Sequence, residues 1–280
     1  MRIEHLSIRG CNEWNEDAYV VNDARRIYAV MDGATSEASQ PGVETGGYLA
    51  SHSVQRYFEA LDKASDAVTL RDHAVIANER IRGLMQERGM DVEDKRTLWA
   101  TGLAVVRVGE YQVEYAQAGD CMIVAVYADG TVRTVTHDQV DHFDEKTRML
   151  WDRCIAEGMT PQQARERAFQ VIGNNRLLTN TEGGYGILNG DPKLARYVEH
   201  GMINRIQLRT LLLFTDGLFL PRKAGDPAPP MSEMVALIEE KGLRGYAEWL
   251  VANELDESQQ GLYTRLKVSD DKTAIRIDLD

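Results

Sequence analysis

Apolar positions in the first third fall into two kinds of pattern. Tyr19-Val20-Val21 and Ile27-Tyr28-Ala29-Val30-Met31 are short β-rich runs parted by Asn22-Asp23, which predicts two strands and a turn. Two helical patterns follow. From about Val43 to Leu61 the spacing of Leu49, Val54, Tyr57 and Phe58 is helical. From about Leu70 to Gln86, Ala74, Ile76, Ala77, Ile81 and Leu84 repeat it, with Gly89 as a stop.

The middle predicts a β-meander: Thr101–Val108, Tyr111–Ala118, Met122–Tyr127 and Thr131–Thr136, joined by Gly109-Glu110, Gly119-Asp120 and Asp129-Gly130. Asp141–Ala168 turns helical and charged, and Gly173–Gly190 is rich in Gly and Asn, so roughly 141–185 is an excursion from the sheet. A second β block covers Met202–Leu208 and Thr210–Thr215. Two amphipathic helices run from about Ser232 to Glu254 after a loop marked by Pro227, Pro229 and Pro230, and Thr273–Leu279 is a closing strand. Strands in antiparallel groups with helices in pairs favour an α+β layered sandwich over a parallel sheet.

Composition narrows the function. The 280 residues are 43% hydrophobic and 27% charged, an ordinary globular balance. Lys+Arg 32 against Asp+Glu 44 leaves a net charge of −12, which argues against non-specific nucleic-acid binding. Cys11, Cys121 and Cys154 have neither disulfide nor zinc-finger spacing and fit a reducing compartment. The N-terminal residues lack an apolar signal core and no 18-residue apolar run exists, so a soluble cytoplasmic protein without membrane contact is expected.

The candidate chemistry is a set of aspartates at strand ends. Asp17 leads into Ala18–Val21, Asp32 follows Ile27–Met31, Asp120 turns between two strands, Asp216 ends Leu211–Thr215, and Asp270-Asp271 precede the last strand. A carboxylate at the mouth of a buried strand needs hydrogen bonds, an ion partner or a cation, and a converging group is relieved by a divalent cation. Each Asp-Gly alone is a turn signal, and Asp129-Gly130 reads as a plain hairpin. Asp32-Gly33 and Asp216-Gly217 have no hairpin partner after them.

In order, Asn15-Glu16-Asp17-Ala18-Tyr19, Val30-Met31-Asp32-Gly33, Ala118-Gly119-Asp120, Leu213-Phe214-Thr215-Asp216-Gly217-Leu218 and Asp270-Asp271-Lys272-Thr273 resemble the metal-dependent protein phosphatases of the type 2C class. Thr101-Gly102 and Val135-Thr136-His137-Asp138 sit in the matching order, and the resemblance spans roughly residues 5–140 and 186–280. It implies one domain over 1–280 with a four-layer αββα sandwich. It also implies hydrolysis of phosphomonoesters on serine or threonine by a hydroxide bridging two Mn²⁺ or Mg²⁺ ions. By the resemblance, Asp32 bridges the ions with the Gly33 carbonyl on one of them, and Asp216 and Asp270 are further ligands. Asp270 is preferred to Asp271 because it stands three residues before Thr273. Glu16 and Asp17 correspond to the pair holding metal-bound water, and Asp120 to a ligand of a third ion shared with Asp216. Hard oxygen ligands suit Mg²⁺ and Mn²⁺ rather than Zn²⁺.

Three positions depart from the family. Asn12 stands where a phosphate-binding Arg is usual, leaving Arg9 as the substitute and Arg176 and Arg222 as other candidates. Ala34 stands where some members carry a general-acid His, and Gly119-Asp120-Cys121-Met122 replaces Gly-Asp-Ser-Arg. His52 and His137 are the histidines considered for acid–base work, and a structural role is the plainer reading of each. The substrate is expected to be a phosphoprotein, with a small phosphate ester or a non-catalytic phosphatase-like module as alternatives. The charged 141–190 stretch, with Gly173-Asn174-Asn175-Arg176 as a loop within it, reads either as a substrate-selecting lid or as a solvated helix pair.

Overall fold

Among residues 1–34, 42–222, 226–256 and 269–279, which the computed structural model of the protein describes, ten strands and five helices form. β2 (Ala18–Asn22), β3 (Ile27–Gly33), β4 (Thr101–Val108), β5 (Gln112–Ala118) and β8 (Glu199–Asn204) make one sheet in the order β2-β3-β4-β5-β8. β1 (Arg2–Ile8), β6 (Met122–Tyr127), β7 (Val132–Thr134), β9 (Leu208–Phe214) and β10 (Lys272–Asp278) make the other, in the order β1-β10-β9-β6-β7. Every neighbouring pair is antiparallel.

The unbroken apolar runs follow from burial on both faces of each sheet. In β3, Ile27, Ala29 and Met31 face helices α1 (Gly46–Glu59) and α2 (Leu70–Glu87), while Tyr28 and Val30 face the opposite sheet. In β9, Leu211 and Leu213 fill the space between the sheets, while Leu212 and Phe214 pack against α5 (Met231–Leu255). Three apolar layers therefore lie between four structural ones, the αββα sandwich expected from the sequence. Gly242, at φ 75°, divides α5 into two helical segments, matching the paired amphipathic pattern.

Two expectations need correction. The meander is not continuous: Gly119-Asp120 carries the chain from β5 in one sheet to β6 in the other, and β8 and β9 are likewise in different sheets. A short turn signal cannot tell a hairpin from a crossover when the strands on both sides are apolar. The Gly173–Arg176 stretch is also no loop, because α4 (Pro161–Asn175) runs through Asn175 and a 3₁₀ turn follows. A capping box, Thr160 Oγ accepting from the Gln163 N–H and Gln163 Oε1 accepting from the Thr160 N–H, sets that helix's start. α4 packs beside α3 (Asp141–Ala156), with Ala164 and Ala168 buried.

β1 was not foreseen. Its Arg-Ile-Glu-His-Leu-Ser-Ile sequence alternates poorly, and only Leu6 is fully buried. No helix among the described residues is long and apolar enough to cross a membrane.

Candidate functional site

Strand register brings the separated aspartates to one end of both sheets. Ala18 pairs with Met31, Gly33 with Thr101, and Leu103 with Ala118, so Asp17, Asp32 and Asp120 leave the first sheet at the same edge. In the second sheet Phe214 pairs with Met122 and with Ala274, which brings Asp216 and Asp270 to that edge too.

Close backbone approach needs glycine at two points. Gly102 is the ladder partner of Asp32, and a Cβ there would lie 3.2 Å from Asp120 Oδ1 and from Cys121 Sγ. A Cβ on Gly33 would lie 2.5 Å from the Glu16 carbonyl oxygen, which accepts from the Gly33 N–H at 3.1 Å. Glu16 and Asp17 are thus held against the end of β3.

Hydroxyls tie the elements together. Thr215 Oγ1 donates to Asp17 Oδ2 at 2.8 Å and accepts from the Thr273 N–H at 3.0 Å, joining the segments that carry Asp17, Asp216 and Asp270. Thr101 Oγ1 donates to the Asp32 carbonyl at 2.9 Å. Thr45, the N-cap of α1, donates to Glu16 Oε1, and Asn12 Nδ2 donates to Glu16 Oε2 at 3.3 Å. Asp271 takes a different part from Asp270. Its two carboxylate oxygens accept from the N–H groups of Gly10 and Glu16, each at 2.7 Å, so it clamps the loop before Asp17.

The carboxylates act on one another. Asp32 is pushed well above the usual aspartate range, first by burial and then by Asp17, Asp216, Asp120 and Asp270. Asp17 is raised by burial and by Asp271, Asp216 and Asp270, against the Thr215 hydrogen bond. Asp120 is raised by burial and by Asp216, Asp138 and Asp144. Asp144, on α3, is pushed up to about 7 by burial and by Asp216. It is the charged neighbour the sequence reading missed, because Asp144 belongs to no motif and lies in a charged helical stretch that reads equally as a lid or a solvated helix pair.

These groups are oxygen donors, and a cluster of mutually repelling carboxylates fits a hard divalent cation such as Mn²⁺ or Mg²⁺. Among the described residues no group of three or more His, Cys, Asp or Glu side chains is placed so that it could hold a metal ion as it stands. The fit therefore rests on donor chemistry and shared charge. Cys121 is buried, and burial and the surrounding aspartates push its thiol up, so it is no nucleophile.

Of the arginines considered for phosphate, Arg9 is exposed at the end of β1 and donates to the Glu13 carbonyl at 2.9 Å. Arg176 is nearly buried and donates to the carbonyls of Leu98 and Ala34, at 3.2 and 3.4 Å. Arg222 grips both carboxylate oxygens of Glu145 on α3, at 2.6 and 3.3 Å. His52 donates from Nδ1 to the Tyr48 carbonyl within α1, stacks on Tyr48, and is lowered by burial. His137 is exposed, and its N–H donates to Glu199.

A family model described as Protein phosphatase 2C matches residues 7–254. That match runs through α3 and α4 and stops before Asp270. Sequence comparison with curated proteins gives no match. Among solved structures, a bacterial serine phosphatase shares 18% identity at TM-score 0.59, covering 100% of this chain and 98% of its own. Serine/threonine phosphatase Stp1 from Staphylococcus aureus shares 18% at TM-score 0.59, covering 99% of this chain and 94% of its own. The catalytic domain of serine/threonine protein phosphatase PstP, in complex with two manganese ions, shares 18% at TM-score 0.60, covering 99% and 97%. At these identities the likeness is one of fold.

Proposed function

We propose a substrate and a division of labour for this chain on the premise that it belongs to the protein phosphatase 2C family. Membership makes it a metal-dependent protein phosphatase, a hydrolase acting on phosphoproteins. We assign it phosphoserine and phosphothreonine as substrates, with two Mn²⁺ or Mg²⁺ ions as cofactors and room for a third. The observation that carries the reading is the convergence of Asp17, Asp32, Asp120, Asp216 and Asp270 at one end of two facing sheets, each drawn from a different strand end.

Asp32, the Gly33 carbonyl, Asp216 and Asp270 would hold the ion pair, and Asp120 with Asp216 the third ion. When bound, such ions supply an acidified water and offset the charge of a phosphoryl group. The chain's own residues do the rest. Glu16 and Asp17 are oriented by Thr45, Asn12 and Thr215 and would accept hydrogen bonds from water on the bound ions. Buried carboxylates that bind protons tightly release them only to a strong competing charge, so cation capture is coupled to deprotonation. Arg9 remains the residue for the substrate phosphate: it is exposed and bonded to a single carbonyl, whereas Arg176 is nearly buried and Arg222 is bound to both oxygens of Glu145. A neutral Ala34 in place of a histidine leaves the leaving-group proton to solvent.

Hydrolysis of a phosphothreonine peptide and of p-nitrophenyl phosphate, with Mn²⁺, with Mg²⁺ and with EDTA, tests this reading. Metal-dependent turnover of the peptide, lost in EDTA, is the expected result. Binding of Mn²⁺ without turnover of either substrate would instead make the chain a phosphatase-like binding module.

A further inference from the structure

Lys272, the first residue of β10, has a fully buried side chain, with 0% exposed. Its ammonium has three protons and three acceptors: Glu254 Oε2 at 2.7 Å, the Asp270 carbonyl at 2.9 Å and Ser269 Oγ at 3.3 Å. An enclosed, fully bonded lysine of this kind is not offered to a substrate phosphate. It joins the last turn of α5, through Glu254, to the backbone of the residue just before the Asp271 clamp.

The Asp270 segment is held from other directions as well. The Ser269 carbonyl accepts from the Cys11 N–H at 3.0 Å, and Asp271 takes the N–H groups of Gly10 and Glu16. Those bonds locate the backbone on both sides of Asp270. Lys272 Nζ donates to Asp270's own carbonyl, and the N–H of the same peptide, that of Asp271, donates to Asp270 Oδ1 at 3.0 Å, so the lysine fixes the peptide plane that holds the Asp270 carboxylate. Rotation of that plane would withdraw the N–H that holds the Asp270 carboxylate, whose charge acts on Asp17 and Asp32.

We propose that Lys272, held by Glu254, is a positioning residue that sets the Asp270 carboxylate for cation capture. This rests on the reading of Asp270 as a metal ligand. An apolar side chain of similar length would fill the same volume without burying a charge, and swapping a buried ion pair for packed hydrophobes is often neutral for stability. The structure instead spends a buried ion pair at the peptide next to the acidic cluster, which ties the pair to orientation rather than to folding alone.

The test compares Lys272→Met, the double variant Lys272→Met/Glu254→Met, Asp270→Asn, and Asp270→Asn combined with Lys272→Met. Mn²⁺ affinity is measured by calorimetry, and folding by circular-dichroism melting in EDTA. The double methionine variant leaves no orphaned charge and keeps the test alive if Lys272→Met alone does not fold. The expected result is a loss of Mn²⁺ affinity of about tenfold or more in both methionine variants, the size typical of residues that orient a ligand. Adding Lys272→Met to Asp270→Asn should cost nothing further, because both act through one carboxylate. Wild-type Mn²⁺ affinity in the folded double methionine variant, alongside weakened Asp270→Asn, would overturn the positioning role alone. Additive losses would overturn it too. Wild-type affinity in Asp270→Asn would overturn the ligand reading itself, and the positioning role with it.

Discussion

Asp17, Asp32 and Asp120 hold protons more tightly than free aspartates, because burial and neighbouring carboxylates penalise the charged form. Asp144 shows the consequence in a measurable window. Its folded pKa of about 7 lies above the ordinary 3.8, so between those values the folded protein binds more protons than the unfolded chain. Its contribution to stability is therefore largest at low pH and falls as pH rises through that window. The melting temperature of the protein in EDTA should fall between pH 5 and pH 8, and Asp144→Asn should flatten the decline; an equal slope in the variant would refute the assignment. Mn²⁺ should raise the melting temperature more at pH 8 than at pH 5. Asp32→Ala and Asp216→Ala should each abolish metal-dependent turnover while leaving the melting temperature in EDTA unchanged or higher, since a repelling charge is removed. Turnover retained at saturating Mn²⁺ would count against both as ligands. Arg9→Ala should raise KM for phosphate esters more than it lowers kcat, as loss of ground-state binding does.

At the level of elements, α3 and α4 are tied to the body by the Arg222–Glu145 pair, whose side chains are 25% and 38% exposed. An exposed pair of this kind contributes roughly 1 kcal/mol or less. Arg222→Gln should therefore lower the melting temperature by no more than about 4 °C, with KM for p-nitrophenyl phosphate within about twofold of the parent. A KM increase of tenfold would move the phosphate grip from Arg9 to Arg222. Much of this level was legible in the sequence. The runs Ile27–Met31 and Leu211–Phe214 announce strands buried on two faces, and the two segments of α5 are visible as paired amphipathic patterns. What escaped is sheet membership. Gly119-Asp120 has the composition of a hairpin turn, and only the packing of β6 between β9 and β7 shows that it crosses the sandwich. Thr101 and Thr215 stand within the motifs, but what their hydroxyls bond escaped, and Thr45 had no signal at all, because a threonine's hydrogen bond is not legible until its partner is in place. The aspartates were visible because their order along the chain matched a family. Asp144 has no such motif and owes its place to the docking of a helix.

The whole molecule is a sandwich whose site draws on both sheets, so neither half of the chain builds it alone. β10 lies between β1 and β9, and the hydroxyls of Ser7 and Thr273 meet at 2.8 Å across 266 residues of sequence. In its sheet β1 has β10 as its neighbour, so the strand made earliest waits for one made far later. During synthesis Asp32 leaves the ribosome 238 residues ahead of Asp270, a lag of roughly 10–50 s at about 5–20 residues per second. On the proposed ligand set, a nascent chain carrying the Asp17 and Asp32 loops is an unfinished vessel for cations, and phosphatase activity should switch on only once translation has passed β10.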